Sequence, residues 1–143
     1  MAIKTITVLG SDLVVRREGI AAGVITPGHL IQGPDTDLIV HAGAAGTTLA
    51  KFAVENDVVG GDIDDDYADN DTVLYGVFPA GSIAYVLADG TGVTAEDIVE
   101  SNGDGTFQVQ AASASTDQGE RASVVGKAMD TAGPDARFRL EIF

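Results

Sequence analysis

The sequence predicts an all-β fold, a compact antiparallel β-barrel-like domain with an extended N-terminal arm and at most one short helix. Three observations carry that expectation. Apolar residues recur mostly at period two rather than 3.6. Eighteen glycines punctuate the chain, many in turn dipeptides. Helix signals are confined to one short run, Thr94-Ala95-Glu96-Asp97, a capping-box pattern whose following apolar stripe supports only a turn or two.

Taken in order, residues 1–20 stand apart from the rest. Residues 5–9 and 13–15 are extended, β-branched stretches interrupted by Gly10 and followed by Arg16-Arg17-Glu18. Three of the eight basic residues (Lys4, Arg16, Arg17) fall here. Fully extended, such a segment reaches roughly 65 Å. Two readings stand: a first strand of the barrel, or an arm that pairs with a neighbouring surface and gives an open strand edge its partner. On the second reading the contact residues are Lys4, Thr5, Ile6, Thr7, Val8, Leu13, Val15, Arg16 and Arg17. Residues 21–143 form the body, with no internal repeat and no clear linker.

Within the body, Thr26-Pro27-Gly28-His29-Leu30 reads as a turn leading into a strand, and His41 ends the apolar Leu38-Ile39-Val40. Strands are predicted at 49–54, 72–78, 82–87, 106–111, 122–129 and 137–143. Pro79-Ala80-Gly81 reads as the hairpin turn between the second and third of these. Asn102-Gly103-Asp104-Gly105 is a further strong turn, since its glycines permit positive φ. Residues 111–118 are small and polar, suited to a loop. The closing strand is the clearest: Phe138, Leu140 and Ile142 share one face, and Arg137, Arg139 and Glu141 the other.

At 143 residues the chain fits one domain that needs no metal or disulfide staple. Aromatics make up 6% and Trp is absent, so the core is expected mainly from Val, Ile, Leu and Ala. Twenty-two acidic residues against eight basic ones give a net charge of −14. Such a surface repels nucleic-acid backbones and anionic membranes, so neither is an expected partner. Asp greatly outnumbers Glu and only Lys4, Lys51 and Lys127 occur. That balance fits either a protein adapted to very high salt, where screening relieves self-repulsion, or an ordinary acidic domain. Cysteine is absent, which excludes thiol chemistry. No apolar run is long enough to cross a bilayer. Asp12 interrupts any signal-peptide core near the N-terminus, so synthesis in the cytoplasm is expected.

Catalytic patterns are missing. His29 and His41 lie in no metal-ligand spacing and are expected to be structural; G-x-S-x-G, GxGxxG and P-loop motifs are absent. No enzyme and no resident cofactor are expected. The one conspicuous constellation is the acidic run 55–71, in which Asp62, Asp64 and Asp66 follow a D-x-D-x-D pattern. Hard carboxylate oxygens suit Ca²⁺, yet an EF-hand loop would need Gly in place of Tyr67 and Glu in place of Val73. A solvated acidic loop is the first reading and a Ca²⁺ site at Asp62, Asp64 and Asp66 the second. Paired carboxylates for glycoside hydrolysis would want aromatic sugar platforms, which so few aromatics do not supply.

Several segments in fixed order resemble the head decoration, or capsid cement, proteins of tailed viruses. They are Ala21-Ala22-Gly23-Val24-Ile25-Thr26-Pro27-Gly28-His29-Leu30-Ile31, Lys51-Phe52-Ala53-Val54-Glu55-Asn56 and Gly60-Gly61-Asp62-Ile63-Asp64-Asp65-Asp66-Tyr67. Ser101-Asn102-Gly103-Asp104-Gly105-Thr106-Phe107, Val124-Val125-Gly126-Lys127-Ala128-Met129-Asp130 and residues 137–143 complete the series, which spans most of the chain. The resemblance implies a β-barrel-like, trimeric body on the outer face of an icosahedral head. There it would bind the major capsid protein and strengthen the shell, with no catalytic residue to carry over. The chain departs from that pattern in its acidity, above all at Asp64-Asp65-Asp66, which would suit a virus of a high-salt host. The alternative is a secreted or cell-surface β-module for adhesion or ligand binding, assisted by Ca²⁺; the missing signal peptide weighs against it.

Overall fold

The computed structural model describes residues 2–110 and 123–143. The predicted loop 111–118 lies outside the described residues, as do the last residue of the predicted 106–111 strand and the first of 122–129.

The described residues form strands β1 (Thr7–Leu9), β2 (Val15–Ile20), β3 (Ile31–Gln32), β4 (Ile39–Val40), β5 (Lys51–Ala53) and β6 (Thr72–Val77). After them come β7 (Ile83–Leu87), β8 (Ile98–Ser101), β9 (Phe107–Val109), β10 (Val124–Ala128) and β11 (Arg137–Ile142). They assemble into a six-stranded sheet in the order β1-β7-β11-β10-β8-β9, a three-stranded sheet β2-β6-β5, and the two-stranded β3-β4. Every ladder is antiparallel. The all-β, antiparallel expectation therefore holds, but the barrel does not close. The large sheet curls until Ala88, just past β7, makes a single parallel bridge to Phe107 of β9, and no ladder continues from it.

Alternation explains how the sheets share their residues. On β11, Phe138, Leu140 and Ile142 are buried while Arg137, Arg139 and Glu141 are half-buried. On β5, Phe52 faces the large sheet and Ala53 faces away from it, so this short strand feeds two apolar clusters. The larger cluster lies between the sheets. Most of its members are Val, Ile, Leu and Ala, as expected, and a row of rings runs through them: Phe78, Phe52, Phe107 and Phe138 touch in succession, with ring centroids 5.2, 5.9 and 6.4 Å apart. Burying each such ring is worth about 1.5–3 kcal/mol. The smaller cluster lies on the outer face of the three-stranded sheet, where Ala53, Val73 and Tyr75 meet Ala21, Ile25, Ile31, Leu38 and Tyr67.

Two local expectations are corrected. Pro79-Ala80-Gly81 does not close a hairpin, because β6 and β7 belong to different sheets. The Ser82 amide and hydroxyl both bond to the Pro79 carbonyl, and the turn passes the chain from one sheet to the other. The capping-box run makes no helix: Glu96 adopts φ +79°, and the Asp97 carboxylate caps the Thr94 amide in an isolated turn. The one helical turn among the described residues is a 3-10 turn at Asp57–Val59. By contrast, Asn102-Gly103-Asp104-Gly105 does join a hairpin, β8 to β9. Gly105 there has φ +85°, and a Cβ on it would lie 2.9 Å from the His29 ring. Gly126 on β10 is fixed by space instead, since a Cβ would sit 2.1 Å from the Glu141 carbonyl oxygen.

Candidate interaction surface

The N-terminal segment meets the body at Ile6 and through the pairing of β1 with β7 and of β2 with β6. Ile6 is fully buried in the larger cluster. The buried Glu55 carboxylate accepts from the Thr5 hydroxyl (2.6 Å) and the Ile6 amide (3.0 Å), pinning the segment at its root. Thr7 and Val8 lie in β1 against β7 and are half-buried. Of the residues proposed for docking, Lys4, Thr5, Leu13, Val15, Arg16 and Arg17 reach the surface, and Ile6 offers none.

Leu13 and Val15 are exposed apolar side chains, 68% and 59% accessible. Val15 opens β2, one of the two outer strands of the three-stranded sheet. The edge of β2 is only partly covered. The Ile20 amide donates to Asp35 and its carbonyl accepts from Leu38. By alternation the main-chain groups of Arg16 and Glu18 point the same way, and among the described residues no backbone partner meets them. Strands left open in this manner are templates for a further strand.

A charged group sits on the outer face of the same sheet. Asp35 accepts from the Tyr75 hydroxyl and from Arg17 (2.8 Å). Those contacts, led by the Tyr75 hydrogen bond, hold its carboxyl below the ordinary value. Burial, with the Asp35 hydrogen bond, pushes Tyr75 up to about 12. The Lys51 ammonium lies 4.5 Å above the Tyr75 ring and donates to the Gly33 carbonyl at 3.2 Å. Burial lowers its pKa, and among the described residues no carboxylate comes within 4.0 Å of it. Lys51 forms one wall of an open notch of about 260 Å³ whose other walls include Ile31, Gln32, His41, Thr48 and Leu49.

The acidic run lies at the other end of this sheet, leading into β6. Asp62 and Asp65 are spent on local main chain: Asp65 accepts from the Asp62 amide and Asp62 from the Asp64 amide, each at 2.8 Å. Asp64, Asp65 and Asp66 are exposed. Among the described residues no three His, Asp or Glu side chains converge as a metal set would require. The loop is anchored by Arg137, which sequence alternation places towards solvent. Its guanidinium instead donates to the carbonyls of Pro27 (2.8 Å) and Ile63 (2.5 Å) and lies 3.6 Å from Asp64.

Both histidines are held internally. His29 Nδ1 accepts from the Thr26 amide, and burial lowers its pKa. His41 Nδ1 lies 2.7 Å from the Ser101 hydroxyl. A serine beside an imidazole invites a nucleophile reading. Ser101 is wholly inaccessible, however, and its hydroxyl also accepts from the Gly103 amide, so the pair joins β8 to the turn after β4.

The fold is thus a pair of packed antiparallel sheets with short flanking strands, and its exposed features are an open strand edge, isolated apolar side chains and segregated charge. Among solved structures, it is similar to the N base of head fiber gp8.5 in bacteriophage phi29. The TM-score is 0.61 at 16% sequence identity, over 92% of this chain and 95% of that one. At that identity the likeness speaks for the fold. No family model matches the sequence, nor does any curated protein.

Proposed function

We propose that this protein is a head decoration protein of a tailed virus. On this reading it binds the outer surface of the major capsid protein lattice, stabilises the shell, works as a trimer, and has neither catalytic activity nor a resident cofactor. The observation that carries the reading is the likeness to a phage head-fiber base over nearly the full length of both chains. The sequence resemblance to capsid cement proteins points the same way from different grounds. The surface suits the role: a rigid body with an open edge can dock by strand addition, and a net charge of −14 keeps free subunits and finished particles apart.

Docking would run through β2, where Arg16 and Arg17 give an acidic protein a local positive edge beside Leu13 and Val15. The test is to mix purified protein with undecorated heads, separate the particles and image them. Saturable, regularly spaced density on the outer surface is expected, and it should fall sharply for the Arg16→Glu/Arg17→Glu variant. Heads that stay bare in the presence of excess folded protein would overturn the reading.

A further inference from the structure

We propose that copies of this chain join head to tail, the valine-tipped acidic turn at Asp57–Val59 of one copy seating in the Lys51 notch of the next. The inference deepens the assembly part of the decoration reading and rests on it.

The two surfaces sit at opposite ends of one sheet. Val15 and Lys51 both pair with Val77, at the end of β6, whereas Ile20 pairs with Thr72 at its start. Residues 57–71 run directly into that start. The two ends are separated by about 17 Å along the strand. At one end are Leu49 (71% exposed) and Val15, with Lys51 and the Arg17–Asp35 ion pair beside them, which leaves the Lys51 charge unbalanced there. At the other, Val58 and Val59 are 81% and 77% exposed, among Asp57, Asp62, Asp65 and Asp66. The valines are held firmly, since the 3-10 turn closes with Gly60 and Gly61 amides bonded to Asp57 and Asn56.

Each end supplies what the other lacks. The notch has a half-buried ammonium with no carboxylate in ion-pair range among the described residues, and an apolar rim. The turn has apolar tips ringed by carboxylates. A symmetric contact of notch on notch would set Lys51 against Lys51, and turn on turn would set aspartates together. Opposite charge at opposite ends therefore favours the heterologous contact, which closes into a ring when the rotation between copies allows it.

The experiment is light scattering after gel filtration on the full chain, at low and at raised salt. Two variants alter exposed or half-exposed side chains and should fold: Lys51→Glu blocks the notch, and Val58→Asp/Val59→Asp blocks the turn. Leu49→Asp is a second block of the notch that leaves the Tyr75 contact in place. The wild type is expected to assemble, with raised salt weakening it. Each variant should need at least about tenfold more protein to do so. An equimolar mixture of the Lys51 and valine variants should give pairs and nothing larger, since one working end remains on each. Wild type that stays monomeric, or variants that assemble as wild type does, would overturn the contact. Head binding by the same preparations is scored separately, so a monomer that still decorates heads would sink this inference and leave the function standing.

Discussion

The two apolar clusters of this protein are built on different terms. The larger holds four phenylalanines in contact. The smaller is organised by two tyrosines: the Tyr67 hydroxyl donates inward to the buried Val54 carbonyl at 2.6 Å, and the Tyr75 hydroxyl donates to Asp35. The first draws its stability from area removed from water, which does not titrate. The second draws part of its stability from hydrogen bonds at a charged border, so pH and salt act on it. One fold therefore contains a core that sets stability and another that sets how stability responds to surroundings.

Truncation should produce the largest difference. Phe107→Ala removes the ring that links Phe52 to Phe138 and should cost about 3–5 kcal/mol in urea unfolding. Tyr67→Phe keeps the ring, strips the Val54 carbonyl of its partner, and should cost about 1–3 kcal/mol. If the two variants lost equal stability, the distinction between clusters would fail.

Alkaline titration sharpens the same contrast. Burial, the leading cause for both tyrosines, pushes Tyr67 and Tyr75 up to about 12. The unfolded chain releases these protons near the ordinary tyrosine value of about 10, while the folded chain holds them. Stability should therefore be intact below about pH 10 and fall as pH rises towards about 12. Phe107→Ala should shift the whole curve without altering its slope there, whereas Tyr75→Phe should flatten it. A slope equal in both variants would show that the smaller cluster does not govern the response.

On the acid side the seam between the two regions is probed. His29 and His41 both have lowered pKa values, burial being the first cause for each. The unfolded histidines take up protons as pH drops below about 6.5, and the folded ones resist. Stability should decline through that range, and melting followed from about pH 7.5 to about pH 5 checks it. His41→Asn should remove part of the slope. A melting temperature independent of pH over this span would contradict the burial of both rings.

The larger cluster was also the more legible in sequence. Phe138, Leu140 and Ile142 alternate with charge, and β11 follows from that pattern alone. β8 was missed because Glu100 and Ser101 are buried polar residues, Glu100 satisfied by Ser123 and Gln108 and Ser101 by His41 from the segment after β4. β2 was obscured in a different way: an exposed edge strand needs no apolar alternation, so nothing in Arg16-Arg17-Glu18 marks where the strand runs. The Lys51 notch had no linear signature, because its walls come from β3, β5 and the segment between β4 and β5. Patterns along the chain report which face is dry; they do not report which distant segments share a corner.

The smallest expected effect concerns charge on the smaller cluster's flank. Ion pairs among the described residues engage Asp35, Asp64, Glu96 and Asp130, which leaves Asp57, Asp62, Asp65, Asp66, Asp69 and Asp71 without a basic side chain in range. Their mutual repulsion is strongest at low ionic strength, so added salt should raise the melting temperature. Asp65→Asn separates charge from geometry, because the amide oxygen can still accept from the Asp62 amide. At low salt the variant should melt slightly higher than wild type, and the gap should close as salt is added. A variant that melts lower at every salt concentration would mean that the carboxylate's hydrogen bond outweighs its repulsion, and that this loop is held by its turns rather than strained by its charge.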